Sequence, residues 1–260
     1  MENDPAERTQ VIQASDGVYV RQAVDNMGWV DLGGEAVVVD ALEQPHLEPE
    51  VFDAIAETLG DTPVRRVLNT HTHYDHVALN EAFERRCGAE IVNLSNTEIP
   101  EDGLCFEGRT RRVRMIPMAG LHTAEDCLVW APEAKVLFVG DLFGWGLIPL
   151  TRALTDDSAR NLAAAYDRMA AFEAETVVPG HGPVCSTAEL RQWTAYFRRL
   201  IADVRDAVAA GRSDAQIMAE TAPPEDMRRW WRFADWKHED SLRKVLRAVR
   251  KDKLTGPPEG

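Results

Sequence analysis

Three histidines and an aspartate crowd into six residues directly after a short apolar run. The segment reads LNTHTHYDHVALN and holds His71, His73, Asp75 and His76. Histidines two residues apart cannot share one face of a helix, but in a loop that leaves a strand both imidazoles can turn toward one cation. Asp75 and His76 would begin the next helix and face a second cation. The pattern therefore predicts a strand, a loop and a helix that carry metal-binding side chains.

The remaining chain alternates between strand patterns and helix patterns. Strands are predicted at residues 17–24, 27–34, 35–41, 64–70, 89–94, 111–118, 127–132, 135–141 and 176–179. Helical spacing marks residues 49–60, 78–88 and 157–172, with Asp156, Asp157 or Ser158 as the N-cap of the last of these. This order predicts an α/β fold in which two mixed β-sheets pack face to face with helices outside.

No linker rich in Pro, Gly or Ser divides the chain. We therefore expect one αββα core over residues 1–185 and, over residues 186–260, a helical C-terminal extension that packs on this core. The closing stretch KLTGPPEG is predicted to be disordered.

The charge balance bears on partners and location. The formal net charge is −14, which disfavours a nucleic-acid partner, and the basic run Arg109–Arg114 alternates as a solvated strand face would. The polar N-terminus and the lack of an apolar run near ~18 residues predict a soluble, cytoplasmic protein without a membrane partner. Four dispersed cysteines are expected to be reduced thiols.

Three more candidate ligands stand where predicted strands end. His122 lies in GLHT, Asp141 ends VLFVGD, and His181 lies in PGHGP. Loops that leave strands project functional side chains, and Gly140 and Gly180 would let the backbone approach a metal closely. The other two histidines, His46 and His238, are interpreted as surface or structural residues.

These residues carry a family resemblance. HTHYDH is similar to the H-x-H-x-D-H signature of the metallo-β-lactamase superfamily, and GLHT, VGD and PGHGP resemble its later metal motifs, in the family's order over residues 17–183. The resemblance implies an αββα sandwich with two metals at one edge. It implies that His71, His73 and His122 hold the first metal, that Asp75, His76 and His181 hold the second, and that Asp141 bridges them.

Details within the motifs indicate which branch of the superfamily this chain resembles. Asp141 resembles the bridging aspartate of glyoxalase II, lactonase and phosphodiesterase members, which true class B β-lactamases usually lack. The chain departs from the common motifs at Glu125-Asp126 and at Ala78-Leu79, beside the site. The resemblance therefore implies a glyoxalase II-like or lactonase-like hydrolase, and not a true β-lactamase.

The predicted ligands define a reaction class. Imidazoles and carboxylates suit two divalent ions, with zinc expected and Fe or Mn as alternatives. A water shared by two such ions ionises near neutral pH, and the bridging hydroxide would attack a small ester, thioester or lactone. Asp75 would also relay a proton. Outer-shell support is expected from Thr70, Thr72, Thr123 and Asp126.

Aromatic residues near the candidate site suggest a substrate pocket. The predicted pocket residues are Tyr74, Phe143, Trp145, Trp230 and Trp231, and the expected partner is a small-molecule substrate. Packing within the fold and a homodimer interface are the alternatives for the C-terminal aromatics. The alternative functions are a mononuclear iron persulfide dioxygenase, a phosphodiesterase or nuclease, and a non-catalytic binding protein.

Overall fold

The computed structural model describes residues 9–118, 120–150 and 152–256. Its contacts divide the chain into two compact units. The first unit comprises the residues up to Leu142 together with Glu173–Ser186, and the second unit comprises Phe143–Phe172 and the residues from Thr187 onward. The segment Phe143–Phe172 thus groups with the C-terminal helices, whereas the sequence analysis placed it in the core.

The first unit contains a mixed six-stranded sheet. Its strands follow chain order across the sheet and are β1 (Gln10–Ser15), β2 (Val18–Gln22), β3 (Met27–Asp31), β4 (Ala36–Val39), β5 (Val64–Leu68) and β6 (Glu90–Val92). The strands β1 to β4 are antiparallel, whereas β5 pairs in parallel with both β4 and β6. The carboxyl ends of β4 and β5 therefore lie side by side.

A second mixed sheet has five strands. These are β7 (Leu104–Glu107), β8 (Arg112–Pro117), β9 (Cys127–Ala131), β10 (Val136–Gly140) and β11 (Thr176–Pro179), in the spatial order β11-β10-β9-β8-β7. Only the β10–β11 pair is parallel, so these two strands end at the same edge. The predicted fold of two mixed sheets with flanking helices is confirmed.

The strands β2 to β4 of the first sheet are buried on both faces. Alternate residues of one strand, such as Val37 and Val38, belong to two different core clusters. One cluster joins strands of both sheets, and the other joins the first sheet to α1 (Glu48–Leu59) and α3 (Asn80–Cys87). A sheet covered on both faces needs apolar residues at consecutive positions, which explains the run AVVV of β4.

The second unit is helical in its described part. Its helices are α4 (Asp156–Ala170), α5 (Thr187–Ala209), α6 (Asp214–Glu220) and α7 (His238–Arg250). The N-cap of α4 is Thr155 and none of the three predicted residues, because the Thr155 side chain accepts a hydrogen bond from the Ser158 N–H in a capping box. Among the described residues, no helix is both long and apolar enough to cross a membrane.

Several local predictions need correction. The edge strands β1 and β7 were not predicted, since QVIQAS and LCFE are short and half polar. The C-terminal part is interrupted between α6 and α7 by a stretch with two successive prolines, which cannot continue a helix.

The C-terminal tail, which was predicted to be disordered, makes contacts through residues up to Gly256. Leu254 is buried and the Thr255 hydroxyl donates to Asp156 at 2.7 Å, while residues 257–260 lie outside the described part. The four cysteines, all within the described ranges, form no disulfide with one another.

Candidate metal centre

The first sheet supplies four of the candidate ligands through the loop that follows β5. His71 and His73 lie in that loop, and the short helix α2 (Tyr74–Val77) adds Asp75 and His76. Backbone bonds tie α2 to the end of β4, because the Ala41 N–H donates to the His76 carbonyl at 2.8 Å. The parallel pairing of β4 with β5 therefore sets the position of this ligand segment.

The second sheet supplies the three other candidates. His122 lies in the β8–β9 loop, and Asp141 and His181 follow the parallel strands β10 and β11. The loop that holds His122 is ordered by the buried Asp126 carboxylate, which accepts the backbone N–H groups of Leu121, His122 and Thr123 at 2.8 to 3.1 Å. Asp126 thus supports the backbone of a ligand loop, whereas the sequence suggested it as an acceptor for a histidine ring.

The structure brings the seven predicted residues into two adjacent groups. The first ligand group is His71, His73, His122 and Asp141, and the second ligand group is Asp75, His76 and His181. In the first group, His73 Nδ1 lies 3.1 Å from His71 Nε2 and 3.1 Å from His122 Nε2. Imidazole nitrogens bound to one zinc at about 2.0–2.1 Å lie at a comparable separation from each other. These three rings are therefore arranged to surround one ion.

Asp141 lies between the two ligand groups and faces each with a different oxygen. Its Oδ2 is 3.4 Å from His122 Nε2, whereas its Oδ1 is 3.4 Å from both His76 Nε2 and His181 Nε2. Asp75 Oδ2 completes the second group at 3.2 Å from His181 Nε2. Asp141 therefore faces both ligand groups, each with one oxygen.

Unsatisfied buried atoms test whether a metal fits here. His76 Nε2 and Asp141 Oδ1 are buried and lack a hydrogen-bond partner, although only 3.4 Å separates them. Buried polar atoms are normally paired, so two adjacent unpaired atoms that can donate electron pairs suit a metal ion between them. A Cβ at Gly180 would lie 2.2 Å from Asp141 Oδ1, which confirms that this position requires glycine. The residues present fit divalent metal ions.

Outer carboxylates hold two of the ligand rings. Asp40, which follows β4, approaches His76 Nδ1 at 3.0 Å and accepts the Thr70 N–H at 2.7 Å. Asp25 approaches His181 Nδ1 at 3.2 Å. Such contacts fix the tautomer and the orientation of a metal-binding histidine. Neither residue was predicted from the sequence, although Asp40 follows a buried strand just as Asp141 does.

The charges of the centre favour cations. Burial would lower the pKa of His76, but Asp40 and Asp141 raise it to about 10. Burial likewise opposes the charged form of His181, yet the neighbouring carboxylates raise its pKa to about 12. The pKa of His71 falls to about 2 through burial and the charge of His76. The carboxylates thus draw positive charge to the second ligand group, where a divalent ion would displace protons.

The predicted pocket residues divide between the two units. Tyr74 belongs to α2 and is 69% exposed. Phe143, Trp145 and Trp230 are buried in the second unit, where their ring centroids lie 5.4 to 5.9 Å apart. Trp231 is also buried and carries the Lys237 ammonium over its ring at 3.9 Å. These four aromatics pack within their own unit, and their role in a substrate pocket stays a prediction.

Fold and site together define a class of protein: an α/β sandwich with a preformed cluster for metal ions at the ends of its strands. The sequence model of one family, the metallo-beta-lactamase superfamily, matches residues 23–100 and 93–181. The chain belongs to the metallo-beta-lactamase superfamily.

The chain is also similar in sequence to individual curated proteins of this superfamily. The chain is 32% identical over 155 residues to a hydroxyacylglutathione hydrolase of Rhodospirillum rubrum, covering 56% of each chain. It is 37% identical over 131 residues to a hydroxyacylglutathione hydrolase of Brucella anthropi, covering 47% of this chain and 49% of the relative. The chain thus spans about half the length of the curated relatives it matches. These relatives support the glyoxalase II-like branch of the superfamily.

Solved structures share the fold at lower identity. A metallo-beta-lactamase from Pontibacter korlensis superposes with a TM-score of 0.61 at 21% identity, over 74% of this chain and 99% of that one. The inverting sec-alkylsulfatase Pisa1 from Pseudomonas sp. gives a TM-score of 0.70 at 15% identity, over 95% of this chain and 51% of that one. At such identities the likeness concerns the fold alone.

Proposed function

We propose that this chain is a metal-dependent hydrolase that cleaves a small ester, thioester or lactone. The observation that carries the proposal is the position of Asp141, whose two oxygens face two complete ligand groups. The names of the curated relatives support a thioester as the first substrate to test.

The proposed cofactor is a pair of divalent metal ions, zinc first, with iron or manganese as alternatives. When bound, divalent ions at such a site lower the pKa of water and stabilise negative charge on a substrate oxygen. The two ligand groups and the bridging Asp141 would hold the ions. Asp40 and Asp25 would hold the rings of His76 and His181 in the ligating orientation.

Asp75 has a second proposed role besides metal binding. Burial would raise the pKa of its carboxyl, but the hydrogen bond from His181 and the charge of His76 lower it. Asp75 is therefore an ionised acceptor at the edge of the centre, where it can take up a proton and pass it to the leaving group.

The hydrolase is preferred over a mononuclear iron persulfide dioxygenase. A one-metal enzyme would need only the first ligand group, whereas Asp75, His76 and His181 also converge, and His76 Nε2 is buried without a partner. The names of the curated relatives favour hydrolysis as well.

The proposed setting of this activity follows from the sequence. We propose a cytoplasmic enzyme with a small-molecule substrate and neither a nucleic-acid nor a membrane partner, in line with the net charge of −14. A homodimer is proposed as the alternative assembly.

Thioester hydrolysis by the metal-loaded protein tests the proposed function. S-acetyl-2-mercaptoethanol serves as substrate, and the released thiol is detected with a chromogenic disulfide. We expect turnover that a chelator abolishes and that zinc restores. His122→Ala should remove it, while His46→Ala, at an exposed position outside the centre, should not. Turnover that persists in both the chelated protein and His122→Ala would contradict the proposal.

A further inference from the structure

A cavity in the second unit is lined by five cationic side chains. Its volume is about 240 Å³, and these lining residues are Arg152, Lys244, Arg247, Lys251 and Lys253. The whole chain has five lysines and a net charge of −14, yet three of the five lysines line this cavity. In the described part of the chain, no acidic residue lines it. We call it the basic cavity.

Hydrogen bonds between three segments hold the walls of the basic cavity in place. The Lys244 ammonium of α7 donates to the Ile148 carbonyl at 2.9 Å, and the Ser241 hydroxyl accepts the Ile148 N–H at 3.0 Å. The Asp156 N–H donates to the Lys253 carbonyl at 2.9 Å, which joins the start of α4 to the chain that follows α7. The cavity is therefore a preformed feature of the folded unit.

Three of the five cations have no counterion within the described chain. Arg247, Lys251 and Lys253 are exposed, and none of them pairs with a carboxylate among the described residues. Lys244 differs, because its ammonium lies 2.9 Å from Asp240. Like charges that line one cavity repel one another, and a bound anion would relieve that repulsion.

A neighbouring cavity along α7 shows the opposite arrangement. It shares two cations with the basic cavity and adds two further arginines. Of these, Arg250 pairs with Asp214 at 2.7 Å and Arg243 pairs with Glu239 at 3.0 Å. The cations that belong to the neighbouring cavity alone are thus neutralised by carboxylates of the chain.

The end of α7 accounts for only part of the charge in the basic cavity. Cations in the last turn of a helix stabilise its partial negative charge, which explains Arg247 and Arg250. Arg152 and Lys253 lie outside α7, yet they line the same cavity as Arg247. The convergence of cations from different segments therefore indicates an anionic ligand.

The lining and the size of the cavity define the class of ligand. Lysine ammonium groups and the planar fork of arginine both bind phosphate oxygens, and several unpaired cations call for more than one negative charge. Leu150, Leu154 and Ala248 give the cavity an apolar part that suits carbon atoms. Its volume lies below the roughly 300–1,000 Å³ of pockets for drug-sized ligands, so the ligand is compact.

We infer that the basic cavity binds a small organic molecule that carries a diphosphate group. Its phosphates contact Arg247, Lys251 and Lys253. The site is independent of the proposed hydrolase function, because its residues belong to the second unit and the seven candidate metal ligands belong to the first. A nucleic acid or a membrane would need an extended basic surface, whereas these cations surround one cavity in a chain of net charge −14.

Three probes that differ only in their phosphate groups test this inference. ADP, AMP and adenosine are titrated by calorimetry into the purified full-length chain, and the metal content is measured before and after each titration. Because phosphates also bind metal ions, the His122→Ala variant is titrated in parallel. This variant alters the candidate metal centre and leaves the basic cavity intact.

We expect affinity to fall in the order ADP, AMP, adenosine, and to fall for ADP as salt rises, because exposed charges are screened. Arg247→Met, Lys251→Met and Lys253→Met should each weaken ADP binding about fivefold, which is the loss of one exposed charge pair. All three positions are exposed, so these variants should unfold at the same temperature as the unaltered protein.

Arg229→Met is the matched control. Arg229 is an exposed arginine of the second unit that does not line the basic cavity. Its substitution removes the same charge from the chain, and we expect unchanged ADP affinity. His122→Ala should also bind ADP as the unaltered chain does.

Four outcomes would overturn the inference. The first is the absence of ADP binding, and the second is equal ADP affinity in Arg229→Met and the three cavity variants. The third is ADP binding that His122→Ala removes and the cavity variants retain, since the phosphates would then lie at the metal centre. The fourth is tighter binding of a single-stranded oligonucleotide or of phosphatidylglycerol vesicles than of ADP, weakened by the cavity variants.

Discussion

Two buried histidines, one in each unit, show what separates a ligand from a structural residue. His76 in the first unit is 0% exposed, and its Nε2 has no hydrogen-bond partner. His238 in the second unit is 6% exposed, and both of its ring nitrogens are bonded: Nδ1 lies 2.7 Å from the Tyr196 hydroxyl and Nε2 lies 2.8 Å from the Thr221 carbonyl. Burial is common to both residues, so burial alone does not identify a metal ligand.

The electrostatic surroundings sharpen this comparison. His76 faces Asp40 and Asp141, which raise its pKa to about 10 in spite of burial. His238 faces a hydroxyl and a carbonyl, and burial lowers its pKa. The first environment attracts a cation and the second excludes one. Substitutions at the two positions should therefore affect different properties.

The largest effect is expected from Asp141→Asn. The change keeps the shape of the side chain but removes the charge that faces both ligand groups. Metal content should drop by at least about one ion per chain, and kcat/KM should fall by more than the ~10–100-fold that loss of an outer-shell partner costs. Elemental analysis and thioester hydrolysis measure both. Full metal content and full activity in this variant would contradict the proposed role of Asp141 in metal binding.

Asp40→Asn should have an intermediate effect. Asp40 contacts His76 Nδ1 at 3.0 Å, and without its charge the ring loses the partner that sets its orientation. Metal affinity should fall about 10–100-fold, and chelator competition measures this change. Asp53→Asn, at an exposed position of α1, is the control. Equal affinities in the two variants would show that Asp40 has no such role.

His238→Ala should affect stability and leave metal binding unchanged. The substitution leaves the buried Tyr196 hydroxyl without its partner, which costs about 1–3 kcal/mol of unfolding free energy. Urea denaturation measures the loss, and the same preparations are analysed for metal. A loss of metal in His238→Ala, with stability unchanged, would reverse the comparison between the two histidines.

The smallest effect concerns pH. Because the pKa of native His238 lies below the 6.5 of an unperturbed histidine, the unfolded chain binds more protons just below pH 6.5. Stability should therefore decrease as pH falls from 6.5 toward the native pKa, with a slope of at most about 1.4 kcal/mol per pH unit. Denaturation of the metal-free protein and of His238→Gln between pH 5 and 8 isolates this contribution. Identical profiles would refute it.

The sequence predicts the centre better than its surroundings for a physical reason. When five or more histidines and aspartates follow strands in one chain, a purely structural explanation for all of them is improbable. His122, Asp141 and His181 could therefore be predicted as metal ligands. Asp40 and Asp25 were missed because a single aspartate after a strand is also an ordinary turn residue. Only the parallel pairing of β4 with β5 shows that Asp40 lies beside His76.

The sequence was less informative about features that depend on the packing of distant segments. Apolar alternation identified the central strands, but the half-polar edge strands β1 and β7 lack that signal. Aromatic density in the C-terminal part left a substrate pocket, a dimer interface and packing within the fold open for Trp230 and Trp231, and the structure buries both residues. The left-handed backbone at Asp40 and Leu42, with φ angles of 60° and 55°, has no sequence signal, since neither residue is glycine.

The measurement that tests the central claim most directly is the metal content of the purified chain by elemental mass spectrometry, beside His122→Ala. The account predicts about two zinc, iron or manganese ions per chain in the unaltered protein and a clear reduction in His122→Ala. About one iron per chain would favour the dioxygenase alternative over a two-metal centre. No retained metal, even after reconstitution with zinc, or the same content in His122→Ala, would contradict the account.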